Sequence, residues 1–172
     1  GNDDSAGIAV RADTGDNTVS NAGGIYSTSE NAFGVATFGK YRNTVDISNS
    51  GTIGVVAEYS IFGTSAVGVY AIGGSNDTTV TNSGEIYAVN GTNVNAGVVI
   101  FGPGTGSYGT ATVTNTGVIS AGKYSEGGSN SLGDAFGVLA DVNGDVSVTN
   151  TGSYAESAGI LAFNEDGGWT VG

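Results

Sequence analysis

Asn115-Thr116-Gly117-Val118-Ile119 decides the reading of this chain, because the same figure returns along its length. The other copies are Asn21-Ala22-Gly23-Gly24-Ile25, Asn49-Ser50-Gly51-Thr52-Ile53, Asn82-Ser83-Gly84-Glu85-Ile86 and the looser Asn150-Thr151-Gly152-Ser153-Tyr154. Successive asparagines stand 28, 33, 33 and 35 residues apart. Self-similarity at such a period signals a repeat architecture, in which one unit cannot bury its own apolar face and must stack on the next.

A second figure alternates with the first. Ala6-Gly7-Ile8, Phe33-Gly34-Val35, Val67-Gly68-Val69, Ala96-Gly97-Val98, Phe136-Gly137-Val138 and Ala158-Gly159-Ile160 all read apolar-Gly-(Val/Ile). One repeat therefore divides into three short strands. One is built on apolar-Gly-Val, one leads into Asn, and one leads out of Asn-x-Gly toward Ile. Period-2 alternation, the mark of a half-buried strand, is expected in each. Two residues before each Asn stand Val19, Ile47, Val80, Val113 and Val148, flanked by Ser, Thr or Asp. In the third strand Ile25, Ile53, Ile86 and Ile119 share a column that ends on Tyr154. β-Branched residues suit such pleated positions, and no amphipathic helix is expected.

The pattern always runs in the same chain direction, so equivalent strands stack in parallel. The chain then winds as a coil, with rungs about 4.7–4.9 Å apart. The expected fold is all-β, a parallel β-helix (β-solenoid) of about five to six rungs of three short strands, one repeat domain over residues 1–172. The asparagines belong at corners, where a short amide bonds locally and tolerates left-handed dihedrals. Gly23, Gly51, Gly84, Gly117 and Gly152 supply positive φ there or allow close packing. Asn21, Asn49, Asn82, Asn115 and Asn150 can stack amide on amide as a ladder. The motif is thus read as a folding signal. Gly73–Asp77, Gly102–Gly106 and Gly122–Asp134 are Gly/Ser/Asn-rich insertions, expected as surface loops.

Composition excludes several functions. Sixteen acids oppose only Arg11, Lys40, Arg42 and Lys123, for a net charge of −12. Four scattered cations cannot hold a phosphate backbone or an anionic membrane, so no nucleic-acid partner is expected. There is no Cys and no His, which removes disulfides, thiolate sites and the commonest general base. No run of 18 apolar residues is present, so no membrane insertion of this segment is expected. The chain begins Gly1-Asn2-Asp3-Asp4 and ends Trp169-Thr170-Val171-Gly172, in mid-pattern and without an evident cap. The expectation is a segment of a longer protein whose ends continue into further rungs or meet other chains.

The consensus Val-x-Val-x-Asn-x-Gly-x-Ile-x-Ala, followed by Ala-x-Gly-Val, resembles the passenger repeats of bacterial autotransporters and filamentous-haemagglutinin-type exoproteins. The resemblance covers nearly the whole chain. It implies a right-handed parallel β-helix, extracellular or displayed on a Gram-negative cell surface, exported by a C-terminal β-barrel or a partner transporter. Proteins of that kind include adhesins, enzymes, toxins and stalks.

The residues themselves point away from catalysis. Asp46, Glu85 and Asp134 fall in different columns, whereas glycosidic chemistry needs two carboxylates within about 5–10 Å. No enzymatic activity or cofactor is therefore expected, with a carbohydrate-active β-helix as the alternative. Calcium is the metal reading. Asp141, Asn143 and Asp145 place oxygen ligands at alternate positions around Gly144, although the same residues make an Asn-Gly turn. Asp13–Asp16 and Glu165-Asp166 are weaker versions. The Ser/Thr pairs before each Asn form a two-column hydroxyl array, which makes an ice-binding face a further alternative. Finally, Ala9, Ala36, Tyr70, Val99, Leu139 and Leu161 each follow an inward Val or Ile, so they should face outward. Tyr70, Val99, Leu139 and Leu161 would then form an apolar interaction stripe, unless a loop such as Gly122–Asp134 covers it. The expected function is a non-enzymatic structural or adhesive surface protein, a passenger or fibre subunit. It would self-associate laterally or end to end, or bind a host or cell-surface ligand.

Overall fold

A computed structural model of the chain describes residues 4–39, 44–58, 63–73, 77–102, 109–122, 134–155, 160–163 and 169–171, with side-chain surroundings as far as Ser153. The first coil consists of β1 (Asp4–Ala12), β2 (Asn17–Asn21) and β3 (Gly24–Ser29). The second is β4 (Asn31–Gly39), β5 (Val45–Asn49) and β6 (Thr52–Ala57), and the third β7 (Ser65–Ile72), β8 (Thr78–Asn82) and β9 (Glu85–Val89). The fourth is β10 (Val94–Phe101), β11 (Ala111–Asn115) and β12 (Val118–Gly122). The fifth is β13 (Asp134–Asp141), β14 (Val146–Asn150) and β15 (Ser153–Ala155), and a sixth begins with β16 (Ile160–Phe163) and β17 (Trp169–Val171). No described residue is helical.

Like strands pair with like. The first sheet runs β1-β4-β7-β10-β13-β16, the second β2-β5-β8-β11-β14-β17 and the third β3-β6-β9-β12-β15. Neighbours within each sheet are parallel. The chain is a three-sided parallel β-solenoid of five full coils and part of a sixth. The sequence repeat and the coil are the same object: Asn21, Asn49, Asn82, Asn115 and Asn150 are register partners in turn.

The interior is filled by the columns that β-branched periodicity marked. Ile47, Val80, Val113 and Val148 on the second sheet, and Ile53, Ile86 and Ile119 on the third, are at most 1% exposed. Val35, Val69, Val98 and Val138 complete the triangle from the first sheet. A smaller cluster lies where the first and third sheets meet, with Ala32 and Ala66 against Val55, Ala57 and Ala88.

The first sheet departs from the expected alternation. A Cβ on Gly34, Gly68 or Gly97 would collide with Cγ2 of Ile53, Ile86 or Ile119, so these glycines face the interior. The next residues, Val35, Val69 and Val98, face it too. Pairing accordingly passes over the glycine, from Phe33↔Val67 to Val35↔Val69. Two successive inward positions shift the phase by one, which turns Phe33, Val67, Ala96 and Phe136 outward beside Tyr70 and Val99. The glycine of one motif exists because the isoleucine of the other occupies its space.

From Gly51 onward the corner glycines work by closeness, whereas Gly23 in the first coil has open space beside it. Positive φ occurs, among the described residues, only at Gly15, Gly63, Gly122 and Asn90, so neither the ladder glycines nor the ladder asparagines use it. A Cβ on Gly51, Gly84, Gly117 or Gly152 would strike the carbonyl oxygen of the corner glycine one coil before. Coil backbones approach too closely at this corner for any side chain.

Candidate functional site

The asparagine column is hydrogen-bonded at every step. Each Nδ2 donates to the next Oδ1: Asn21 to Asn49 at 2.7 Å, Asn49 to Asn82 at 2.8 Å, Asn82 to Asn115 at 2.7 Å and Asn115 to Asn150 at 2.8 Å. The same Nδ2 of Asn82 also reaches the carbonyls of Gly84 at 3.2 Å and Val118 at 3.1 Å. Backbone groups are met as well, Thr116 N–H donating to the Asn82 carbonyl at 2.8 Å and Val118 N–H to that of Gly84 at 2.9 Å. Asn82 and Asn115 are fully buried. A buried amide with every bond made adds about 1 kcal/mol per bond and would cost more if left unpaired. Asn49, Asn82 and Asn115, each with a neighbour on both sides, have amide oxygen and nitrogen both engaged within the column.

A second column, which the sequence did not reveal, lies at the corner between the first and second sheets. It reads Asp16, Thr44, Asp77, Thr110, Asp145, the residues immediately before the paired starts of β2, β5, β8, β11 and β14. Asp16 Oδ1 accepts the Thr44 N–H at 3.2 Å. Asp77 Oδ1 accepts the Thr110 N–H at 3.1 Å and its hydroxyl at 2.8 Å. Thr44, through its hydroxyl and then its N–H, holds the Asp16 carboxyl below its usual value. The signal was obscured because loops of varying length precede these residues and break the sequence alignment.

This column bears on the calcium residues. Asp145 occupies it, and the Asp145 carbonyl accepts the Ala111 N–H at 2.9 Å. Asp141 instead stands in an outer column of the first sheet, after Arg11, Phe38, Ile72 and Phe101 and before Phe163. Val142 between them is 5% exposed and belongs to the core, while Asn143 lies in the bend that follows. The two carboxylates thus serve different faces of one corner. Among the described residues no three His, Cys, Asp or Glu side chains gather as a metal cluster.

The other acids are dispersed. Asp46 is on β5, Glu85 on β9 and Asp134 on β13, one on each sheet and all exposed. Asp13 pairs with Arg11 at 3.7 Å on the surface. Glu165-Asp166 lies outside the described residues.

The apolar stripe is placed on the outer face of the first sheet, and it is not bare. Val99 is 2% and Ala36 3% exposed, with Tyr70 and Leu139 half-buried. The phase shift at Gly-Val brings Phe33 and Phe136 onto the same face. Tyr70 sits among rings, its centroid 5.2 Å from Phe33, 6.1 Å from Phe38 and 5.9 Å from Phe101. Burial among them pushes the Tyr70 hydroxyl's pKa up. A shallow groove of about 240 Å³ remains between Phe33, Val67, Tyr70, Val99, Phe101 and Leu139. The first sheet is therefore apolar on both faces, as β10 shows in its near-continuous run Val-Asn-Ala-Gly-Val-Val-Ile-Phe. Leu161 pairs in register with Leu139, but its side chain, like residues 123–133, lies outside what is described.

The hydroxyl array lies on the second sheet. Thr18, Asp46, Thr79, Thr112 and Ser147 form one column, and Ser20, Ser48, Thr81, Thr114 and Thr149 the other. Compared with known proteins, the chain matches no family model, no curated protein and no solved structure.

Proposed function

We propose that this chain is a non-enzymatic structural and adhesive element, a β-solenoid rod of an exported bacterial surface protein, acting as a passenger segment or a fibre subunit. The observation that supports it best is the unbroken coil-to-coil stack. The most faithfully repeated residues are consumed in holding rungs together, while Asp46, Glu85 and Asp134 stand on separate sheets. The apolar outer face of the first sheet offers a surface for lateral contact.

The test couples the purified chain to beads and measures their retention on cell layers, alongside incubation with neutral and acidic polysaccharides. Retention without sugar release is the expected outcome. Release of sugar from any polysaccharide, or beads that wash off every surface, would overturn the reading. A second reading, an ice-binding face, draws on the two in-register hydroxyl columns of the second sheet. Thermal hysteresis of the chain in supercooled water tests it, and a freezing point equal to the melting point removes it.

A further inference from the structure

Tyr26, Gly54 and Tyr87 occupy one register column on the outer face of the third sheet, in three successive coils. A Cβ on Gly54 would lie under 3.0 Å from both the Tyr87 hydroxyl end and Tyr26 Cδ1. The two side chains therefore converge over bare backbone. Gly24 makes room for the rest of the first ring, since a Cβ there would stand 2.7 Å from Tyr26 Cε2. Glycine weakens a strand interior unless something must approach closely, and here aromatic side chains do. Tyr26 nonetheless remains 64% exposed, the most exposed large apolar side chain described.

Glu85 stands two residues before Tyr87 on β9, exposed on the same face. Arg11 is the one cation among the described residues, and it lies on the first sheet against Asp13. Two tyrosine side chains and a carboxylate thus meet on one shallow surface of a chain with net charge −12. Burial, then the nearby Tyr26 and Glu85, push the Tyr87 hydroxyl's pKa up. Of these causes, the Glu85 carboxylate is the one that also favours a cation beside the rings.

We propose that Tyr26, Tyr87 and Glu85 recognise the Lys or Arg side chain of a basic polypeptide partner. The electron-rich face of an exposed tyrosine attracts ammonium and guanidinium groups. A guanidinium can stack on the ring while donating in a fork to a carboxylate. One carboxylate beside two rings does not make the oxygen cage that a hard metal ion needs. The site deepens the adhesive reading by naming a partner chemistry, and it rests on that reading for its role.

The experiment follows the ring protons of the full chain by NMR during titration with a Gly-Arg repeat peptide, with a Gly-Gln repeat as control. Saturable shifts of the Tyr26 and Tyr87 rings with the first peptide alone are expected, weakened about two- to five-fold in Tyr26→Ser and in Glu85→Gln. Shifts spread evenly over the acidic surface, or affinity unchanged in both variants, would overturn the site in favour of diffuse charge attraction. Beads that adhere through a chain with no peptide binding would remove this site and leave the adhesive reading standing. Peptide binding without bead adhesion would do the reverse.

Discussion

Two corners of this solenoid tie coil to coil with opposite chemistry. Between the second and third sheets stands one residue type, Asn21 through Asn150, hydrogen-bonded at every step. Between the first and second sheets Asp and Thr alternate from Asp16 to Asp145, and the bonds come in separate pairs, Asp16 with Thr44 and Asp77 with Thr110. An amide both donates and accepts, so identical amides can repeat without limit. An ionised carboxylate only accepts and must be followed by a donor. The first corner is buried and its side chains bond from coil to coil. At the exposed second corner the main chain makes the continuous link, Asn17 to Thr44, Val45 to Asp77, Thr78 to Thr110 and Ala111 to Asp145, and the Asp–Thr side-chain bonds add to it. A column of identical residues is readable in the sequence, and an alternating one is easily missed.

The largest effect on this contrast should come from Gly117→Val. The added carbons meet the Gly84 carbonyl and the Ser83 main chain, which cannot move without parting the coils. A loss of more than about 3 kcal/mol is expected in urea unfolding, and a loss under about 1 kcal/mol would mean that the coils separate freely here. Asn82→Asp should cost about 3 kcal/mol, because an acceptor-only group would face the Gly84 and Val118 carbonyls and the Asn115 Oδ1. Unchanged stability would show that the ladder does not hold the corner. The opposite sign is expected at Asn17, which begins the strand that Asn21 ends. It is 1% exposed and neither of its amide atoms has a hydrogen-bond partner, in a column with Val45, Thr78, Ala111 and Val146. Asn17→Val should raise stability by about 1 kcal/mol, and a lower melting temperature would contradict that accounting.

The exposed corner should respond to acid where the buried one does not. The folded pKa of Asp16 is lowered from 3.8 by Thr44. Its contribution is therefore complete above the unfolded value and disappears as the pH falls through the lower folded value. The Thr44 amide resonance should move in that range while the Asn82 side-chain amide stays still; coincident movement of both would make the corners one unit. The smallest effect is expected for Thr112→Ser on the outer face of the second sheet, within about 0.5 kcal/mol by thermal melting.

Most of the fold was legible because a parallel stack demands that each column repeat its residue. The Asn, the Val two before it and the Ile four after it are read directly from the period, and the structure places them in the buried columns. The outer stripe was only half legible. Alternation from Val69 correctly turns Tyr70 outward, but it would turn Val67 inward, and the structure places Val67 in the outer cluster with Val99. The cause is Ile86, which takes the space beside Gly68 from the neighbouring sheet. Of the two roles expected for the corner glycines, positive φ or close packing, the structure shows the second at Gly51, Gly84, Gly117 and Gly152. The choice could not be read from one repeat, since the distance to the next coil is invisible within it.

By itself, then, the sequence determined the period, the parallel direction, the three-strand coil and the identity of the corner ladder, because each depends on residues recurring at equivalent places. Only the tertiary structure decided which neighbours fill a glycine's missing side chain. Ile86 over Gly68, the Gly51 carbonyl over Gly84 and Tyr87 over Gly54 are contacts between different strands or coils. No local pattern encodes them, because the space at a glycine is assigned by whatever the folded chain brings beside it.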